Sequence, residues 1–77
     1  MTQDESLAVI RKAFAHVDVV KITVAYDEGC GEMLATVYVP EHQFGDAIGE
    51  EEEIPRRAAM ASGMSIELEF AERLPKS

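Results

Sequence analysis

The order of apolar periods in this sequence predicts an α+β fold, a two-layer sandwich in which helices cover one face of a three-stranded mixed sheet. Three observations carry that expectation. Two alternating runs, "VVKITVAY" and "MLATVYV", flank a polar, glycine-bearing turn, "DEGCGE", which is the pattern of a β-hairpin. A further alternating run, "MSIELEF", is separated from them by two short helical patterns, so it returns by a crossover and pairs in parallel. An amphipathic stretch near the N-terminus supplies one more helix and makes the order α-β-β-α-α-β.

The first helix is expected from about Gln3 to Ala15. Thr2 and Glu5 have the spacing of a capping box, and Leu7, Ile10 and Phe14 recur at helical steps to form one apolar stripe. Arg11 and Lys12 stand near its C-terminal end, where the dipole favours cations. The first strand is expected over Val19 to Tyr26, with Val20, Ile22, Val24 and Tyr26 on one face and Lys21, Thr23 and Ala25 on the other. The second runs from Met33 to Val39, with Met33, Ala35, Val37 and Val39 inward and Thr36 and Tyr38 outward.

Pro40 ends that ladder and suits a helix start, so "EHQFGDAI" reads as a short helix with Phe44, Ala47 and Ile48 toward the core and Gly49 as its stop. Pro55 then fits the first position of "PRRAAMAS", whose Ala58, Ala59 and Met60 suit close packing, and Gly63 sits where a left-handed cap belongs. The last strand places Met64, Ile66, Leu68 and Phe70 inward and Ser65, Glu67 and Glu69 outward.

A chain of 77 residues supports one domain with one core, expected over residues 3–71 with a frayed tail at 72–77. No apolar run approaches the roughly 20 residues of a membrane-spanning helix. The N-terminus begins acidic and lacks the pattern of a signal peptide, which predicts a cytoplasmic location. Fifteen acidic against seven basic residues give a net charge of -8, which repels polyanions and opposes the counterion-release term of nucleic-acid binding. Any contact with RNA or DNA must therefore be local.

The stretch "VYVPEHQFGDAIGEEEEIPRRAAMASGMSIEL" carries a resemblance. Its strand-helix-turn-helix-strand plan with a Gly-led turn resembles a KH domain, and the helix and strand placed ahead of it match the type II arrangement. It is most similar to the second KH module of the bacterial transcription elongation and termination factor NusA. That module characteristically runs Val-Pro, two polar residues, Gln-Leu, then Ala-Ile-Gly-x-x-Gly-Gln-Asn, an Arg, a pair of Ala, and a Gly before the last strand. Val39, Pro40, Gln43, Ala47, Ile48, Gly49, Arg56, Ala58, Ala59, Gly63 and Ile66 fall on those positions without a gap.

The resemblance implies a module that binds single-stranded RNA, with Ile48, Gly49, Glu50, Glu51, Glu52, Arg56, Arg57 and Ile66 as the nucleic-acid-binding candidates. In such a turn, glycine lets the phosphate backbone lie against main-chain N–H groups at a helix start. This chain departs from the pattern at that point. The second Gly position is Glu52, the next two are Glu53 and Ile54, and the turn reads Gly49, Glu50, Glu51, Glu52. The expectation is a KH-like module with weak or lost RNA binding, in which Glu52 or Glu53 takes the place of an anion at the helix dipole. Arg56 and Arg57 are either remnants of phosphate recognition or partners of the nearby glutamates.

Glu50–Glu53 also admit plainer readings: a solvated acidic turn, or an acidic patch for a basic protein partner. A divalent metal site is a weaker fit, because adjacent carboxylates in one run cannot all converge and no Asp-x-Asp-x-Asp-Gly loop is present. His16 and His42 lack a nucleophile or a metal-ligand neighbour at a useful spacing, and no carboxylate pair is patterned to split its pKa values, so neither catalysis nor a cofactor is expected. Cys30 is the lone cysteine, in a turn where Asp27, Glu28 and Glu32 disfavour a thiolate. Leu34 and Tyr38 are expected to share the outer sheet face with Lys21, Thr23, Glu67 and Glu69 as a small contact patch.

Overall fold

Residues 2–29 and 31–75 are described by the structure, a computed structural model. Cys30, and the last two residues of the expected frayed tail, lie outside the described residues. The elements are α1 (Gln3–Ala13), β1 (Lys21–Asp27), β2 (Glu32–Val39), α2 (Phe44–Ile48), α3 (Glu53–Ser62) and β3 (Ser65–Phe70), with short turns at Glu41–Gln43, Glu50–Glu52 and Ala71–Arg73. The order α-β-β-α-α-β and the three-stranded mixed sheet agree with the expectation. Strand order is β1-β2-β3. β1 and β2 are antiparallel, with Val24 opposite Ala35 and Ile22 opposite Val37. β2 and β3 are parallel, with Ala35 level with Ile66 and Val37 with Leu68.

The capping box forms: the Glu5 N–H donates to Thr2 Oγ1 at 3.2 Å, and the Thr2 N–H donates to Glu5 Oε1 at 3.5 Å. Ile10 and Phe14 are fully buried. The helix ends at Ala13 rather than Ala15, because the following turn is tied to another element. The Asp18 N–H donates to Gln43 Oε1 (2.6 Å), Gln43 Nε2 donates to Asp18 Oδ2 (3.0 Å), and His16 Nε2 donates to the Asp46 carbonyl (2.8 Å). These bonds fix the chain as it leaves α1 against α2. A buried polar link absent from the apolar stripe also appears: Ser6 Oγ donates to the Ser62 carbonyl at 2.9 Å, joining α1 to the last turn of α3.

On the sheet, Ala35, Val37 and Val39 are fully buried, and Ile22, Val24, Ile66 and Leu68 pack around them. Val20 and Tyr26, expected on the same face as Ile22 and Val24, are instead 56% and 60% exposed. β1 is an edge strand, and only its middle meets the core. On the outer face the ladder brings Thr23, Thr36 and Glu67 into one row and Lys21, Tyr38 and Glu69 into the next, as the alternation predicts.

α3 begins at Glu53, earlier than the expected start at Pro55. Pro55 is tolerated there because the first N–H groups of a helix have no partner within it to lose. The core-facing stripe of α3 is the partly buried Ile54 and the buried Ala58 and Ser62, at four-residue steps, and Met60, two residues from Ala58 and hence turned roughly 200° from it, is 82% exposed. Met60 is therefore not a packing residue of this core. Side-chain contacts also form at the C-terminal end of the described residues. The Glu72 carboxylate accepts the Glu41 N–H at 3.1 Å, Arg73 lies 5.6 Å over the Phe70 ring, and Phe70 meets Phe44 edge-on at 4.6 Å.

Candidate functional site

The turn between α2 and α3 is built from residues in unusual backbone states. Gly49 closes α2 with its N–H on the Gly45 carbonyl (3.1 Å) and adopts φ 71, ψ -170. The position favours glycine for its φ, and a β-carbon there would also crowd the Ile54 side chain, 3.1 Å from its Cδ1. Glu51 (φ 53) and Glu52 (φ 60) follow in the left-handed region. That double step re-aims the chain into α3.

The carboxylates do not cap α3. Glu52 is the N-cap residue, but its side chain makes no capping hydrogen bond, and the Glu53 carboxylate pairs instead with Arg57 one turn on. Glu53 stands in the first turn of α3, near the positive end of the dipole, but neither it nor Glu52 makes a capping hydrogen bond there. A left-handed N-cap aims its side chain differently from the extended N-cap that Ser, Thr, Asp or Asn use. Arg56 donates to the Glu51 main-chain carbonyl, so its guanidinium braces the strained turn rather than a carboxylate.

The sequence-predicted residues gather only in part. One hollow of about 290 Å³ brings Ile48 of α2 and Ile66 of β3 together, with Phe44, Leu68, Pro55 and Glu52 around them and Glu67 at its edge. A second, about 220 Å³, adjoins it through Glu52, Pro55 and Ile66 and adds Arg56. A third, polar hollow of about 360 Å³ lies among Glu50, Glu51, Glu53 and Arg56. Ile48, Glu50, Glu51, Glu52, Arg56 and Ile66 thus border one trough, while neither Arg57 nor Gly49 lines any of these hollows. Phe44, Pro55, Leu68 and Glu67 also line it. The alternation of β3 signals Leu68 and Glu67, but only the strand order shows that they stand at an open edge.

Elsewhere, a shallower depression of about 540 Å³ lies where α3 ends and β2 and β3 begin, lined by Met33, Met60, Gly63 and Met64. Among the described residues no group of three His, Cys, Asp or Glu side chains converges as a metal site. Among those residues no helix is long and apolar enough to cross a membrane.

No protein-family model matches the chain, and no curated protein matches it in sequence. Among solved structures it is similar to the crystal structure of APE1850, with a TM-score of 0.73 and 20% identity over 90% of this chain and 51% of that one. The likeness is one of fold alone. This chain spans about half the length of that protein.

Proposed function

We propose that the chain is a non-catalytic KH-like module, similar to the second KH module of NusA, whose affinity for single-stranded RNA is weak or lost. The observation that carries this reading is Glu52. It stands where the resemblance expects the second glycine, and its backbone at φ 60, ψ 31 is one that glycine adopts without cost. The turn has the shape of a glycine turn and the charge of an acidic one.

Electrostatics decide what that turn rejects. Like charges at about 4 Å repel by roughly 1 kcal/mol in water and about 4 kcal/mol at the effective dielectric near a protein surface. A phosphate in the trough meets Glu50, Glu51, Glu52 and Glu53, all exposed, against Arg56, which already serves the Glu51 carbonyl. Arg57 is paired with Glu53. Repulsion outweighs what one engaged guanidinium returns.

The test is an anisotropy titration with labelled mixed-sequence single-stranded RNA at about 50 and 200 mM salt. The native chain is expected to show no binding in the micromolar range. The variant Glu50→Arg/Glu52→Gly/Glu53→Gln, which restores the Gly-x-x-Gly-Gln pattern, is expected to bind measurably and to weaken steeply with salt. Micromolar, salt-sensitive binding by the native chain would reject this reading.

A further inference from the structure

The trough borders an unpaired strand edge, and the chemistry around that edge is specific. Ile66 and Leu68 point toward the helices while Glu67 points to the other face, yet all three line the same hollow. A hollow shared by both faces of a strand lies against its edge. β2 covers one edge of β3, so this is the other, which pairs with no strand among the described residues.

The hydrogen-bonding groups exposed there follow from the ladder. The Val20 N–H donates to the Tyr38 carbonyl at 2.8 Å, so the Tyr38 main chain faces β1. Alternation turns Val37 toward β3, and in a parallel ladder Val37, level with Leu68, bonds the residues on either side of it, Glu67 and Glu69. The N–H and C=O groups of Ile66 and Leu68 are left facing outward. The next N–H on that side, of Phe70, is taken by the Glu69 carboxylate at 3.0 Å, which closes the edge at its far end.

We propose that this free edge of β3 accepts an extended peptide segment of another protein in which apolar residues alternate with lysine or arginine. The backbone pairs with Ile66 and Leu68. The apolar side chains enter the hollow between α2, α3 and β3, and the basic ones, on the opposite face of the added strand, meet Glu67. Charge complementarity selects this occupant. Among the described residues the Glu52 and Glu67 carboxylates have neither an ion pair nor a hydrogen bond, whereas Glu69 is engaged by Arg73 and Phe70. A second copy is a poor occupant, because β3 against β3 sets Glu67 and Glu69 near their own equivalents. The proposal rests on the reading that the trough rejects nucleic acid.

The experiment titrates the full chain into fluorescein-labelled Gly-Val-Lys-Val-Arg-Val-Lys-Gly and, in parallel, into Gly-Val-Val-Val-Lys-Arg-Lys-Gly, which has the same composition and charge but no alternation. The alternating peptide is expected to bind about tenfold more tightly, to lose about fivefold with Glu67→Lys, and to slow hydrogen exchange at the Ile66 and Leu68 amides. Equal affinity for the two peptides, no binding of either, or unchanged exchange at those amides overturns the proposal while a lack of RNA binding leaves the underlying reading intact. Micromolar RNA binding in a parallel titration overturns that reading and the proposal with it.

Discussion

Glu52 holds a backbone conformation that costs an L residue roughly 1–2 kcal/mol relative to the right-handed region. Its φ of 60 and ψ of 31 lie in the left-handed region, and no side-chain capping bond offsets the cost. Glycine removes the clash of the β-carbon but adds freedom to the unfolded chain, worth about 0.5–1 kcal/mol in the opposite direction. Relief exceeds that penalty, so Glu52→Gly is expected to raise stability by about 0.5 kcal/mol, read as a higher urea midpoint at unchanged slope. Glu52→Ala separates the causes. It deletes the charge but keeps the β-carbon, so it is expected to gain less, and an equal gain would assign the effect to carboxylate repulsion. Nothing in the run of glutamates announces this strain, because composition shows charge and not φ. Ser6 was hidden for a similar reason: a serine on the margin of an apolar stripe looks solvated until the Ser62 carbonyl is placed beside it.

At the scale of elements, α2 is the least self-sufficient part of the fold. It has five residues, too few to be stable alone, and Gly45 lies inside it. Packing holds it: Ala47 is buried, Phe44 stacks edge-on against Phe70, and the Gln43–Asp18 bonds clamp its start to the connection between α1 and β1. A β-carbon on Gly45 would meet nothing within 4 Å, and its φ is not in the left-handed region. Gly45→Ala is therefore expected to stabilise the chain by about 0.5–1 kcal/mol, or several degrees in a thermal melt of a domain this small. A loss of stability would mean that α2 requires a conformation its neighbours impose and alanine resists. The elements were legible where period and punctuation agreed: Thr2 and Glu5 marked the start of α1, Gly63 the end of α3, and clean alternation β3. The pattern misleads where a residue type carries two meanings. Pro55 reads as a first helical position but sits further in, and Met60 reads as core but faces solvent. The trough was visible as Ile48, Arg56 and Ile66, while its edge character depended on strand order, which pairs residues far apart in sequence.

Across the whole molecule, fifteen acidic residues and seven basic ones share a body of 31 × 31 × 22 Å, and the sign of the salt response follows from those dimensions. At about 0.01 M salt the Debye length of roughly 30 Å spans the entire protein, whereas at about 0.15 M it falls to roughly 8 Å, well inside the thinnest dimension. Salt therefore removes the long-range repulsion first. The opposing effect is the weakening of local pairs such as Arg57–Glu53 and Arg73–Glu69, but each is open to solvent on at least one partner and contributes only about 0–1 kcal/mol before screening. Net charge of one sign destabilises the compact state through self-repulsion, and eight uncompensated charges outweigh two weak pairs. The urea midpoint is expected to rise when sodium chloride is raised from about 10 to 150 mM, by the equivalent of about 1 kcal/mol. The triple variant Glu50→Arg/Glu52→Gly/Glu53→Gln, which loses three negative charges and gains one positive, is expected to show a smaller rise. A midpoint that falls with salt in the native chain would place the balance with the local pairs rather than with the repulsion among the excess carboxylates.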